Sequence, residues 1–191
     1  MKNIKLCLAI LLLTGNSVFA NLQSAPPAAG RGLYTSLNDF MNHKISFETS
    51  TRIILNEFTA SKYVKVVDNG NTVKLAKKDL FGFRDNNNMD YRFYKNELYQ
   101  ILDATYFFIY THYASSTVEK GKGNEKKETL YFSVKGTDEL QPLTIENLKK
   151  AFPDNLKFHD LLDNVRNDAD LIKYDAYTKD IKVNYLYKKS L

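Results

Sequence analysis

Only one cysteine, Cys7, occurs in the chain, and it lies inside an N-terminal apolar run. Downstream of that run no thiol can pair into a disulfide, bind a metal as thiolate or act as a nucleophile. Long apolar stretches are equally scarce. Leu6–Leu13 is unbroken but covers eight residues, far short of the ~20 that span a bilayer as a helix. Arginine is sparse too, at 5 against 22 lysines. Bidentate reading of phosphate or guanine favours arginine, so the mild basicity does not indicate nucleic acid. Also missing are a G-x-S-x-G elbow, an H-E-x-x-H helix motif, a Walker loop and a C-x-x-C pair. Gly121 and Gly123 open no G-x-G-x-x-G cradle, because position 126 is lysine.

What the N-terminus does contain is an export signal. Lys2 and Lys5 form a positive n-region, Leu6–Leu13 the apolar segment, and Val18-Phe19-Ala20 puts small residues at −3 and −1 for cleavage after Ala20. Ile4-Lys5-Leu6 before Cys7 does not fit a lipoprotein cleavage site. The expected location is periplasmic or extracellular. Removing Lys2 and Lys5 lowers the formal charge from +5 to +3. A secreted body without disulfides must be held by its core, and a chain of this size can bury ~70% of its unfolded surface.

Residues 21–32, N-L-Q-S-A-P-P-A-A-G-R-G, are expected to be a flexible linker, and residues 33–191 one domain. Ser36 and Asp39 have capping spacing, so a short helix is expected from Ser36 with Leu37, Phe40, Met41 and Ile45 inward. From Arg52 to Val134 branched and aromatic residues dominate. Asp68-Asn69-Gly70-Asn71 is a strong hairpin signal. Strands are expected at Phe81–Phe83, Tyr91–Phe93, Leu98–Leu102, Thr105–Tyr113 and Thr129–Val134, with a solvated loop at Glu119–Glu128. Beyond Pro142 the period becomes helical. Thr144 caps one helix, Asp154 or Asn155 begins a second through Phe158, Leu161, Leu162 and Val165, and a third runs from Asp168. Residues 180–188 fit strand or helix equally. The fold class is α+β, an antiparallel sheet or small barrel followed by C-terminal helices.

Residues 84–97, R-D-N-N-N-M-D-Y-R-F-Y-K-N-E, resemble a calcium loop at first sight. In the better register, Asn88, Asp90 and Glu97 take ligand positions, but Tyr91 occupies the glycine position. Three asparagines between alternating strands are more simply a hairpin turn. His159 and Asp163, four apart on a helix, provide only two ligands, and a solvated histidine is the plainer expectation. The candidate ligand-binding residues are Tyr106, Tyr110 and His112, which as strand neighbours with Phe108 would form an aromatic row. Such a row is either a platform for sugars and flat ligands or core beneath helices. No catalytic residues, metal ligands or cofactor emerge from the pattern.

L-N-D-F, K-K-D-L-F-G-F-R-D with Y-R-F-Y, and L-T-I-E-N-L-K-K-A-F-P-D-N-L-K-F-H-D-L-L together resemble a group of small exported bacterial proteins without assigned activity. The resemblance implies a shared fold and export, and supplies no catalytic residues. The expected role is non-enzymatic binding of an envelope protein, a glycan or a small ligand. A hydrolase of envelope or dietary polymers and an inhibitor of a partner enzyme are the rivals.

Overall fold

The structure, a computed structural model, describes residues 30–47, 52–55, 61–68, 70–114 and 127–191. The expected leader, most of the linker and the lysine-rich loop from 119 to 126 lie outside these residues.

Strands β1 (Gly32–Tyr34), β5 (Gly82–Arg84), β6 (Asp90–Tyr94), β7 (Glu97–Asp103), β8 (Phe108–Ala114), β9 (Lys127–Ser133) and β10 (Gln141–Pro142) form one antiparallel sheet in the order β1-β5-β6-β7-β8-β9-β10. The sheet is open, with β1 and β10 as edges, so the small-barrel alternative is set aside. Gly32, placed at the end of the expected linker, is already the first residue of β1. A second antiparallel sheet joins β2 (Arg52–Ile54), β3 (Tyr63–Asp68) and β4 (Asn71–Ala76). Asp68 pairs with Asn71 across the turn, and Gly70 takes a φ of 82°, which a side chain would resist.

Paired residues in an antiparallel ladder share a face, so the register sorts the large sheet into two. One face carries Leu33, Phe83, Tyr91, Phe93 and Leu98 at the β1 end. These pack with Ile53, Leu55, Val64 and Val66 of the small sheet. At the β9 end the same face carries Ile109 and Phe132, covered by α2 (Ile145–Ala151), α3 (Leu156–Asp163) and α4 (Lys182–Ser190) through Leu148, Phe158, Leu162, Val183 and Leu186. The opposite face carries Phe108, Tyr110 and Tyr99, packed with Tyr34, Phe40, Ile45 and Phe81. Each fully buried large side chain contributes about 1.5–3 kcal/mol.

The expected caps are present. Ser36 caps α1 (Leu37–Met41) by accepting from the Asp39 amide, Thr144 caps α2 from Asn147, and Asn155 caps α3 from Phe158. Met41 does not join the buried face; it is 55% exposed. Asn167 caps a 3-10 helix, Asp168–Ile172, where a longer helix was expected. The tail resolves as helix: Ile181 closes the short hairpin of β11 (Tyr174–Asp175) with β12 (Asp180–Ile181), and α4 follows. Val183, Leu186, Tyr187 and Ser190 follow the helical period, which the alternating tyrosines concealed.

Candidate functional site

Two arginines project from neighbouring strands onto the face opposite α2, α3 and α4, and both are buried. Arg84 on β5 pairs with Asp90 on β6, directly across the ladder. Its Nε and Nη2 each donate to a different Asp90 oxygen at 2.7 Å, a bidentate charge-assisted fork. The Tyr34 hydroxyl donates to the same carboxylate at 2.9 Å. Hydrogen bonding to Asp90 raises the Arg84 pKa, and burial beside Asp90 pushes the Tyr34 phenol well above its usual range. Here charge is compensated inside the fold.

Arg92 on β6 is different. It is 6% exposed, yet its partners are neutral. Nη1 donates to the Tyr110 hydroxyl at 3.1 Å and the Ser133 hydroxyl at 3.4 Å, and Nη2 donates to the Asp138 carbonyl at 2.8 Å. Its guanidinium also lies against the rings of Tyr94 and Tyr110, 5.3 and 5.7 Å from their centroids. A guanidinium has five N–H donors, so three bonds leave donors to spare. A buried charge without an ionic partner is costly. Arg92 also lines an open polar pocket of about 290 Å³ with Lys78, Asp79, Thr35, Ser36 and Thr137. The Thr35 and Ser36 hydroxyls already donate to Asp39, whose pKa falls in consequence. They therefore face the pocket as acceptors. Donation to a ligand falls to Arg92, Lys78 and Thr137.

A second pocket, about 320 Å³, adjoins the first and shares Lys78 and Phe93 with it. Lys62, Lys77 and Lys95 add three more ammonium groups to its walls, beside Tyr63 and Asn96. The β6–β7 hairpin builds one wall. Tyr94 pairs with Glu97 across a two-residue turn in which Lys95 and Asn96 have φ of 49° and 70°, the signature of a primed turn in which asparagine is favoured. That turn aims the Asn96 carbonyl at the buried Lys77, which donates to it at 2.8 Å. Lys95 reaches Glu139 at 3.3 Å, and the Tyr94 hydroxyl donates to the same carboxylate. Those contacts, the Tyr94 bond first, hold Glu139 below the ordinary carboxylate range, with a smaller contribution from the charge of Arg92. Lys62 and Lys78 form no ion pair among the described residues. Asp79 lines the pockets, and Asp39 and Glu139 contact lining residues from behind, against five lining cations.

Of the three residues singled out from the sequence, Tyr110 and His112 share a face of β8 and Tyr106 does not join them. β8 starts at Phe108, because Asp103 accepts from the Thr105 amide and turns the chain before it. Tyr106 therefore packs on the helical side, its ring 5.6 Å from Tyr187, and does not share a face with Tyr110 and His112. Tyr110 is wholly buried and serves Arg92. His112 stacks on Tyr99 at 4.4 Å, with Nε2 3.2 Å from the Glu97 carboxylate. Burial, followed by Glu97, pushes the Tyr99 phenol up to about 12.

Residues 85–89 are a hairpin turn. The Asp85 carboxylate accepts from the Asn87 and Met89 amides, and Asn88 takes a φ of 60°. Of the apparent calcium ligands, Asp90 belongs to Arg84 and Glu97 lies beside His112. His159 is half-buried rather than solvated, its Nε2 bonded at 2.9 Å to the Phe152 carbonyl at the end of α2. Asp163 pairs instead with Lys149.

Arg92 was missed because a single arginine between aromatic residues in a strand reads as an outward-facing position. The available signal was Asp90-Tyr91-Arg92-Phe93: Arg92 shares a face with Asp90, and only one carboxylate serves Arg84 and Arg92. Comparison with protein-family models, with curated proteins and with solved structures finds no match to this chain.

Proposed function

We propose that this chain is an exported, non-catalytic protein that binds a ligand through an anionic group at Arg92. One observation carries the reading: a buried guanidinium with neutral partners lines an open pocket, while its neighbour Arg84 has a carboxylate of its own. A ligand carboxylate, sulfate or phosphate supplies the missing charge. Preorganised donors then bind without reorganising, which favours affinity. Support for export comes from Lys2, Lys5, the Leu6–Leu13 run and Val18-Phe19-Ala20.

Thermal unfolding at constant ionic strength tests the binding. Inorganic phosphate, sulfate and a monomeric hexuronate are compared with chloride. A ligand at a hundred times its Kd stabilises by ~2.7 kcal/mol, so at least one of the three should raise the melting temperature of the wild type but not of Arg92→Met. Equal shifts in both proteins, or none with any anion, would refute the site. N-terminal sequencing of the protein recovered from its producing cells should begin at Asn21; recovery of the intact leader would refute export.

A further inference from the structure

The two pockets differ in what they offer, and the difference bears on the ligand. The Arg92 pocket presents a planar guanidinium in a polar setting. The neighbouring pocket presents ammonium groups around a tyrosine: Tyr63 is 49% exposed and stands beside Lys62. Lys78 and Phe93 line both, so the two pockets are immediate neighbours.

Resting on the reading of Arg92 given above, we infer that the joined pockets form an extended site for an acidic oligosaccharide, a chain of sugars bearing repeated carboxylates. One carboxylate sits at Arg92. A second, further along the chain, meets Lys62, Lys78 and Lys95. The sugar ring between them rests its C–H face on Tyr63, whose ring is amphipathic and low in conformational entropy. Lys77 does not move to reach the ligand: it is 2% exposed, bonded to the Asn96 carbonyl and placed over the Phe93 ring. Its charge is fixed under the floor and raises the potential of the pocket as a whole. A phosphate polymer would meet the same cations but would have no sugar face to lay on Tyr63. A single small anion would leave the lysine pocket unused.

The two carboxylates are tethered, so binding of the second is intramolecular and gains from effective concentration. The chain should therefore bind much more tightly than its monomer. Isothermal titration of the full processed protein with a monomeric hexuronate, a tetrameric oligouronate, a neutral tetrasaccharide and linear polyphosphate of matched charge tests this. The expected order is tetramer at least tenfold tighter than monomer, with polyphosphate weaker than the tetramer and the neutral sugar not binding. The variant Lys62→Ala, which alters the lysine pocket alone, should lose most of the advantage of the tetramer and keep monomer binding within about threefold. Tyr63→Ala should weaken the tetramer at least fivefold and leave polyphosphate unchanged.

Equal affinity for monomer and tetramer overturns the extended site while leaving the Arg92 site standing. Polyphosphate binding as tightly as the tetramer, with no effect of Tyr63→Ala, overturns the sugar assignment. Binding of the neutral tetrasaccharide as tight as the acidic one overturns the charge recognition in both pockets. Binding of none of the four overturns this inference; the Arg92 reading falls with it only if inorganic phosphate and sulfate also fail to stabilise the wild type. The lysine and tyrosine variants alter exposed side chains, so they report even if Arg92→Met does not fold.

Discussion

Arg84 and Arg92 sit one strand apart on the same face of the same sheet, are about equally buried, and lie against tyrosine rings. They differ in a carboxylate. Asp90 faces Arg84 across the ladder, whereas the residue facing Arg92 across β5 is Gly82, which has no side chain to offer. The first arginine is therefore structural. The second has no carboxylate hydrogen-bonded to it, only Glu139 within electrostatic reach, and it stands next to space open to solvent. Identical residue types thus divide into one with a carboxylate partner and one without, and the residue opposite on the neighbouring strand differs accordingly.

The sharpest way to break the comparison is to make the first arginine like the second. Asp90→Ala leaves the Arg84 guanidinium buried without its partner and strips Tyr34 of its acceptor. Breaking one side of a buried pair costs about 3–5 kcal/mol, and the 17% exposure of the Asp90 side chain places this one near 3 kcal/mol. Urea unfolding should show a midpoint far below the wild type; a loss under about 1 kcal/mol would put the two arginines in the same class.

A neutral control comes from Asn184. It is fully buried in α4, and both polar atoms of its carboxamide lack hydrogen-bond partners. An unsatisfied buried polar group costs roughly 1–3 kcal/mol. Asn184→Leu should raise stability by about 1 kcal/mol in the same unfolding assay, and a loss would show that the amide has a partner after all.

Arg92→Met should then change stability by less than about 1 kcal/mol. It removes three hydrogen bonds, but it also removes a buried charge that has no hydrogen-bonded carboxylate, and Tyr110 and Ser133 keep their mutual bond at 3.0 Å. A loss as large as that of Asp90→Ala would mean that Arg92 is a structural group too.

The smallest effect lies at the pocket rim. Hydrogen bonds from the Thr35 and Ser36 hydroxyls lower the Asp39 pKa. Because the folded value lies below the unfolded one, the associated stabilisation is complete above the ordinary carboxylate range and is lost as pH falls through the folded pKa. In Thr35→Val, carbon-detected titration should find Asp39 shifted upward, towards the ordinary carboxylate range. An unchanged titration would show that this hydroxyl does not hold the carboxylate.

Legibility from sequence followed the range of the interaction. Ser36, Thr144 and Asn155 were readable as caps because a capping side chain bonds an amide three positions on. The turns at Asp68–Asn71 and Asp85–Met89 were readable because asparagine and glycine tolerate positive φ. The C-terminal helix was ambiguous because Ile181, Val183, Tyr185 and Tyr187 satisfy a period of two, while Val183, Leu186 and Tyr187 satisfy 3.6. The aromatic row failed at Tyr106 because Asp103 turns the chain before β8 begins, shifting the strand start by three residues from the expected Thr105. Nothing in composition revealed the Arg92 site, since its partners Tyr110, Ser133 and Asp138 lie 18 to 46 positions away.

The order of residues by itself determined the antiparallel strands, their turns, the helix caps and the α+β class, since each depends on neighbours within a few positions. Only the tertiary structure decided that Asp90 belongs to Arg84, that Gly82 faces Arg92, and that Lys77 and Lys78, just after β4, and Lys95 of the β6–β7 turn gather beside it. Strand register sets those meetings, and register is a property of chains brought together across the sheet, where one slipped residue would turn every side chain to the other face.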